Sequence, residues 1–327
     1  MLYLNSQTLT PLLKSKNLLA FSAGVDSSAL FFILLENNIK FDIAIVNYQT
    51  RDNSKDEEIY AKELAKKYNL KCYSLKAPPI KNNFEKTARD IRYNFFEEII
   101  NKDKYNTLIT AHQLNDQLEW LLMRLSKGAG AVELIGLEPI NQKDNYQLIR
   151  PILHHTKDEL LKFLNKNNHK YFIDNSNFNT KYERNLFREQ FSNQFLELYS
   201  NGVKRSFDYL REDKKQLTQN FQEIYKFGKL VILKLKDINY KIKAIDITLK
   251  KLGYLLSNAQ RREISKSNSI VIGGLWVVEI EDNKVYISPF IKTSMPKEYK
   301  EICRRFKVPT KIRPYCFENS ILPQQIN

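Results

Sequence analysis

Seven small and polar residues at 22–28, SAGVDSS, separate two apolar runs near the start of the chain. The run before them, at 17–21, has the composition of a buried strand, and the run after them, at 29–35, is continuously apolar. This order predicts a strand, a tight loop and a helix whose first N–H groups, with the loop hydroxyls, can hold phosphate. Asp26 is the one carboxylate in the loop, and among phosphates it favours a bridging cation such as Mg²⁺.

Strand-like and helix-like segments alternate through the first half of the chain. Predicted strands at 17–21, 41–46, 70–75 and 107–111 alternate with predicted helices at 26–37, 54–68, 83–101 and 115–125. This alternation indicates an α/β fold with a parallel sheet and helices on both faces. Ligands of such sheets bind at the carboxyl ends of the strands, where the loop after Phe21 and the segment after Ala111 stand.

The second half predicts a different organisation. A long amphipathic pattern predicts helix, and we interpret 191–228 as a helical linker that follows a catalytic domain at 1–190. Phe187 and Phe191 are interpreted as core residues rather than as base-stacking platforms. Shorter strand and helix patterns predict a small, basic α+β domain at 229–327.

The chain carries a formal net charge of +15 and has a pI near 9.4. This excess favours a polyanionic partner, nucleic acid first, over a merely solvated basic surface. The three cysteines, Cys72, Cys303 and Cys316, form no CxxC pair, which argues against a zinc site or an iron–sulfur cluster and fits a reducing compartment. No apolar run approaches the roughly 20 residues that a membrane span requires, so we expect a cytoplasmic protein without a membrane partner.

The loop at 22–27 lacks the two commonest nucleotide-binding motifs, since the chain has no GxxxxGK[ST] and no GxGxxG after a strand. Its S-A-G-V-D-S resembles the SGGxDS signature of the PP-loop (N-type) ATP pyrophosphatases, which cleave ATP between the α and β phosphates. The resemblance implies ATP and Mg²⁺ as cofactors, with Asp26 as the metal ligand. The residues that it implies for the phosphates are Ser22, Ala23, Gly24, Val25, Asp26 and Ser27.

A second candidate site, AHQLNDQLEW, spans 111–120. Asp116 and Glu119 are three residues apart at the start of a predicted helix, so they share a face. Such a pair suits Mg²⁺ or an ammonium group, although acids also occur in a first helical turn because they favour the macrodipole. The segment resembles the AHHxDDQxET motif of tRNA(Ile)-lysidine synthases, which His112, Asp116, Gln117 and Glu119 match. Because an amino-acid cation needs an acidic partner, our hypothesis is that Asp116 and Glu119 bind the lysine substrate of this family. The resemblance also implies that His112 belongs to the nucleotide site.

Three positions depart from these family patterns. Ala23 replaces the first Gly of the PP-loop signature, Gln113 replaces a His and Asn115 replaces an Asp. An alanine at position 23 matters if the backbone there has a positive φ. At position 115 the amide replaces a carboxylate of the family motif, so the property affected is the binding of either the metal or lysine.

Further stretches resemble the same family in the same order: ARDIRYNFF, LSKGAGAVELIGL, RPIL with TKDEL, and DNSNFNTKYERNLFR. The resemblance implies that Arg92 acts with Asp26 and Asp116 in catalysis and that Arg89 contacts the nucleotide. The residues that it implies for tRNA contact are Lys127, Arg150, Asn177, Arg184, Asn185 and Arg188.

The arginines can also be interpreted without the family. Arg89 and Arg92 are three residues apart, and Arg184 and Arg188 are four apart, so each pair presents two guanidinium groups on one helix face. Two such groups suit phosphates. The alternative is an ion pair with an acid close in sequence, such as Glu189.

The resemblance implies a two-step reaction. The C2 oxygen of the wobble cytidine in the CAU anticodon of tRNA(Ile) attacks the α-phosphate of ATP, and L-lysine then displaces AMP to form lysidine. A homodimer is also implied. Two alternatives are a thiolase-type PP-loop enzyme, which the single cysteine of the first domain argues against, and a catalytically inactive RNA-binding protein, which Ala23 and Asn115 favour.

Overall fold

The computed structural model describes residues 2–50, 54–173 and 183–326, and the chain divides into two compact units. Unit 1 comprises Met1–Arg211 and unit 2 comprises Glu212–Asn327. The predicted tRNA contact Asn177 lies outside the described residues. Among the described residues, no helix combines the length and the apolar content that crossing a bilayer requires.

Unit 1 is built on a six-stranded sheet. Its strands are β1 (Asn17–Phe21), β2 (Phe41–Asn47), β3 (Cys72–Lys76), β4 (Thr107–Ile109), β5 (Ile140–Gln142) and β6 (Gln147–Ile149). The spatial order is β3-β2-β1-β4-β6-β5, and every neighbouring pair is parallel except β5 with β6. The strand order reverses between β1 and β4, so a ligand crevice is expected at the carboxyl ends of these two strands.

Helices cover both faces of this sheet, as predicted. They are α1 (Ser6–Lys14), α2 (Val25–Glu36), α3 (Ser54–Lys67), α4 (Phe84–Asp103), α5 (Leu114–Leu125), α6 (Ala131–Leu134), α7 (Lys157–Lys166), α8 (Glu183–Phe187), a π-helical turn (Arg188–Ser192) and α9 (Asn193–Thr218). On one face Phe31 of α2 belongs to a buried cluster with Leu64 of α3 and Leu160 of α7. On the other face Phe96 and Ile100 of α4 pack beneath the strands.

The first half of α9 packs onto unit 1 rather than standing free as a linker. Leu196, Val203 and Phe207 join Leu114 and Leu118 of α5 in one buried cluster. An amphipathic face of this kind is stable only against an apolar partner, so the segment predicted to connect two domains begins as part of the first unit.

Unit 2 contains an antiparallel sheet of five strands in the order β7-β8-β11-β10-β9. The strands are β7 (Phe221–Phe227), β8 (Leu230–Leu235), β9 (Ser269–Ile272), β10 (Trp276–Glu281) and β11 (Lys284–Pro289), and the helices are α10 (Lys241–Lys251), α11 (Asn258–Lys266), α12 (Lys297–Arg305) and α13 (Arg313–Glu318). The predicted small α+β fold is therefore confirmed. The prediction of helix through residue 228 is wrong, because FQEIYKF pairs along β8 and its aromatic residues favour a strand.

Candidate active site

The loop between β1 and α2 presents a helix N-terminus at the crevice. Gly24 is the N-cap of α2 and supplies no side-chain cap to the first turn. Ser27 Oγ accepts the N–H of Ser22 at 3.2 Å and lies 3.0 Å from Ser22 Oγ, so the two serines close the loop. The first N–H groups of this 12-residue helix remain available to an anion.

Ala23 adopts the left-handed conformation, with φ of 58°. The residue is buried, and its carbonyl accepts the N–H of Phe172 at 2.9 Å, which fixes the loop against a distant segment of the chain. A left-handed backbone costs a residue with a Cβ about 1–2 kcal/mol. The alanine that replaces the signature glycine is therefore strained, and the Phe172 contact holds the loop in place.

Replacing Ala23 by Gly is expected to change the free energy of unfolding by less than about 1 kcal/mol. The loss of a buried methyl group, about 0.8 kcal/mol, is offset by release of the left-handed strain. Ala29, equally buried but inside α2, is the matched control, and Ala29→Gly should lower stability by about 2 kcal/mol. Urea unfolding of both variants measures the difference, and equal losses would contradict the strain at Ala23.

Asp26 carries an unpartnered carboxylate oxygen among the described residues. Its Oδ1 is buried and forms no hydrogen bond within the part of the chain that the structure describes. Burial and the neighbouring Asp116 raise the pKa of Asp26 from 3.8 to about 7, against the opposing charges of Lys157 and Arg188. An unpaired buried carboxylate is unfavourable unless a cation joins it. Asp26 is therefore a candidate metal ligand on the evidence of its surroundings alone.

The acidic cluster stands at the end of β4, where α5 begins. Gln113 is the N-cap of α5, and Asp116 accepts the Gln113 N–H at 2.9 Å to complete a capping box. Burial disfavours the charge on Asp116, but Arg184 and His112 hold its pKa below the ordinary value. Burial lowers the pKa of His112 from 6.5 to about 4, so this imidazole is neutral at pH 7.

Two arginines from the segment after α7 bind the acid pair. Arg184 donates Nε to Glu119 at 2.7 Å and Nη2 to Asp116. Arg188 donates Nε at 2.7 Å and Nη2 at 3.2 Å to the carboxylate of Glu119, whose side chain is fully buried. The shared face predicted for Asp116 and Glu119 is confirmed, and their partners are these distant arginines. We call these four residues the acid–arginine cluster.

The other predicted arginine pair lies on an exposed face of α4. Arg89 and Arg92 are both exposed, and the guanidinium carbon of Arg89 lies 4.7 Å from the centre of the Tyr93 ring. Tyr48, at the end of β2, donates its hydroxyl to the carbonyl of Ala88 at 2.9 Å and so ties α4 to the carboxyl edge of the sheet. After burial, the positive charge of Arg89 also contributes to lowering the pKa of His112.

The residues predicted to contact tRNA do not share one environment. Lys127 is exposed and pairs with Glu183 at 2.7 Å. Arg150 is buried and donates Nη1 to the carbonyl of Glu138 at 2.8 Å, which suits support of the site better than contact with a large polyanion. Asn185 lies on α8 next to Arg184.

Comparison with known proteins gives a consistent result. Residues 4–195 match the family model of a PP-loop domain. The chain is 43% identical to the tRNA(Ile)-lysidine synthase of Campylobacter jejuni over 97% of both chains. It is 40% identical to that of Wolinella succinogenes over 93% of both, and 39% identical to that of Helicobacter pylori over 94% of this chain and 91% of the relative.

The chain belongs to the tRNA(Ile)-lysidine synthase family. A more distant solved structure, the U34-tRNA thiolase NcsA of Methanococcus maripaludis with its [4Fe-4S] cluster, is 17% identical with a TM-score of 0.52. The match covers 68% of this chain and 80% of that one, and it shows a shared fold alone.

Two departures from the tRNA(Ile)-lysidine synthase motif have structural roles in this family member. Gln113 Oε1 accepts the N–H of Asn115 at 2.6 Å and so caps α5. Asn115 donates its amide to Asn193 at 2.9 Å and accepts the N–H of Lys157 at 3.1 Å. Asn115 therefore joins the starts of α5, α7 and α9, which explains why a neutral amide is accommodated there.

Lys157 and Asn193 contribute to this synthase site without having been predicted from the sequence. Lys157 is the first residue of α7. Its positive charge acts to lower the pKa of Asp26, against the larger effect of burial, which raises it. The capping pattern of Thr156 and Glu159 predicts the start of α7, so it also places Lys157 in the first turn. For Asn193 the sequence carries no signal, because its partner Asn115 is 78 residues away.

Proposed function

We propose that this protein joins L-lysine to C2 of the wobble cytidine in the CAU anticodon of tRNA(Ile), forming lysidine and converting ATP to AMP and pyrophosphate. The modified anticodon then reads AUA in place of AUG. The observation that carries the proposal is the identity of about 40% with tRNA(Ile)-lysidine synthases along nearly the whole chain. Association of two chains into a homodimer stays a prediction.

In the first step, the loop at 22–27 and the N-terminus of α2 bind the phosphates of ATP. The C2 oxygen of the cytidine attacks the α-phosphate, the bond to the β-phosphate breaks and pyrophosphate leaves. Arg89 and Arg92 are exposed and offset the negative charge that develops on the phosphates. His112, which is neutral, serves as a hydrogen-bonding group of the nucleotide site.

Asp26 is the side chain that would hold Mg²⁺ in this site. Its buried, unpartnered Oδ1 fits an oxygen-preferring cation. The described residues contain no cluster of three or more His, Cys, Asp or Glu side chains suited to a metal. One carboxylate, with phosphates and water as the other ligands, is a usual way to bind Mg²⁺. The ion would supply positive charge beside the phosphates.

In the second step, the amine of lysine attacks C2 of the adenylated cytidine and AMP leaves. We assign the binding of lysine to Asp116 and Glu119, whose charges suit an ammonium group. Because Arg184 and Arg188 already donate to these carboxylates, lysine must share or displace their hydrogen bonds. The guanidinium groups would then lie beside the bound amino acid, where they suit its carboxylate.

Residues for tRNA are assigned to two regions. In unit 1 they are Lys127, Asn177, Arg184, Asn185 and Arg188, whereas Arg150, which is buried, supports the site from within. In unit 2 the basic segment at 304–313 supplies further cations. A thiolase activity is disfavoured because Cys72 is the only cysteine of unit 1 and a cysteine-bound cluster needs several.

Incorporation of labelled lysine into tRNA(Ile) tests the proposal. With ATP present, the purified protein should label the tRNA that carries the CAU anticodon and release pyrophosphate in proportion. A matched tRNA with uridine at the wobble position should stay unlabelled. Binding of tRNA(Ile) without labelling or pyrophosphate release would instead support the inactive RNA-binding protein.

A further inference from the structure

The outer face of α9 and of the turn before it carries three aromatic side chains that the core does not use. Phe191, Phe195 and Tyr199 are 49%, 49% and 57% exposed. The prediction that Phe191 belongs to the core is therefore wrong. The three residues are spaced four apart, and the rings of Phe195 and Tyr199 lie 5.2 Å apart between centroids. We call them the aromatic stripe.

The aromatic stripe is continuous with the candidate active site. It begins three residues after Arg188, which bonds Glu119 at 2.7 Å. The stripe covers the third to the eleventh residue after Arg188, from the π-helical turn to the kink at Tyr199. Leu196, which is buried, packs with Leu114 and Leu118 and holds this segment against α5. The position of the stripe relative to the acid–arginine cluster is therefore fixed by a packed core.

The charge around the stripe favours a nucleic acid over a second copy of the chain. Arg205 is exposed on the same segment, and the carboxylate of Asp208 already pairs with Arg211 at 3.0 Å. Exposed aromatic rings with a cation along the same segment suit the bases and backbone of single-stranded RNA. The net charge of +15 also opposes self-association through an uncompensated face.

We infer that the aromatic stripe is a stacking surface for unpaired bases of the anticodon loop. The inference rests on the proposed function. Attack on ATP by the C2 oxygen of a loop cytidine requires that base to turn out of its stack. Neighbouring bases then lose a stacking partner, and exposed protein rings next to the site replace it.

An anticodon stem-loop of tRNA(Ile), with 2-aminopurine next to the wobble cytidine, is the probe. The double variant Phe195→Ala/Tyr199→Ala should raise its Kd at least about 10-fold and reduce the change in 2-aminopurine fluorescence on binding. Phe195→Trp, which keeps a π-face, should stay within about 3-fold of wild type, whereas Phe195→Leu, which keeps only apolar bulk, should weaken binding about 5-fold or more. The Michaelis constant for ATP should not change.

Leu198→Ala is the matched control, because Leu198 is 72% exposed on the same helix and has no aromatic ring. Its Kd for the stem-loop should stay within about 2-fold of wild type, since an exposed aliphatic side chain offers no ring to a base. Thermal unfolding of each variant confirms that the fold is retained, as expected for exposed positions.

Three results would overturn the inference. If wild type labels tRNA(Ile) with lysine and the double variant binds the stem-loop equally well, the stripe has no stacking role and the proposed function stands. If the double variant changes the oligomeric state but not the Kd, the stripe is an interface between copies. If wild type neither binds the stem-loop nor labels tRNA(Ile), the proposed function fails together with the inference.

Discussion

Asp26→Asn is expected to lower kcat/KM for lysidine formation about 1000-fold while making the fold more stable. The variant removes the one carboxylate proposed to join a cation to the phosphates of ATP, and loss of such charge stabilisation is typically worth about 3–4 kcal/mol. It also removes a carboxylate whose buried Oδ1 has no hydrogen-bond partner among the described residues. Activity and stability should therefore change in opposite directions. Pyrophosphate release and urea unfolding measure the two effects.

The gain in stability should depend on pH in a defined direction. Because the pKa of Asp26 is raised from 3.8 to about 7 in the folded protein, the wild type loses stability as pH rises through this window. Each pH unit contributes up to about 1.4 kcal/mol, so the advantage of Asp26→Asn should reach about 2–4 kcal/mol at pH 8 and fade toward pH 4. The Mg²⁺ dependence of ATP binding should disappear in the same variant.

Asp158→Asn is the control for Asp26. Asp158 is exposed near the start of α7 and pairs with Lys162 at 2.7 Å. Its replacement should change stability by less than about 1 kcal/mol and leave activity within about 2-fold. An Asp26→Asn protein that keeps a tenth of wild-type activity, or whose relative stability is the same at pH 4 and pH 8, would contradict the assignment.

Glu119→Gln is expected to raise the Michaelis constant for lysine at least about 10-fold and that for ATP by less than about 3-fold. The carboxylate accepts hydrogen bonds from both Arg184 and Arg188, and in glutamine one oxygen becomes an N–H₂ donor that faces a guanidinium group. A hydrogen bond to a charged group is worth about 1.5–3 kcal/mol, which sets the expected loss in lysine affinity. Steady-state rates at varied lysine and varied ATP separate the two constants.

The effect of Glu119→Gln on the stability of the fold must be separated from its effect on the Michaelis constant for lysine. Breaking a buried ion pair leaves the arginines uncompensated and should lower the free energy of unfolding by about 3 kcal/mol. Glu119→Asp, which keeps the charge, should recover part of both losses, and Glu189→Gln, at a half-buried position of the π-helical turn, should change neither. An unchanged lysine dependence in a folded Glu119→Gln protein would falsify the binding role.

Much of the fold could be predicted from the sequence because its signals are local. Thr156 and Glu159 form a capping box three residues apart, and the structure has both hydrogen bonds where the pattern predicts them. The strand, loop and helix at 17–36 follow from apolar runs on either side of small residues. The error at 221–227 has the opposite cause: pairing with β8 overrides a weak helical pattern, and pairing is not local.

The candidate site was predicted less completely, for the same reason. Asp116 and Glu119 could be placed on one face from their spacing alone. Arg184 could have paired with an acid near in sequence, but it contacts Glu119, 65 residues away, because α8 docks against α5. The exposure of Phe191 likewise depends on which side of its helix packs onto Leu114 and Leu118.

The alternating α/β order, the loop at a helix N-terminus and the resemblance to tRNA(Ile)-lysidine synthases can all be derived from the residue order alone. Each of these depends on residue types at fixed short spacings, which set local backbone and capping energies. The packing of distant segments establishes that Ala23 is left-handed, that Asp26 Oδ1 has no hydrogen-bond partner in the described ranges and that Arg184 and Arg188 bind the acid pair. These properties depend on which distant groups meet when helices dock, and burial then makes each unmatched charge or strained dihedral energetically important.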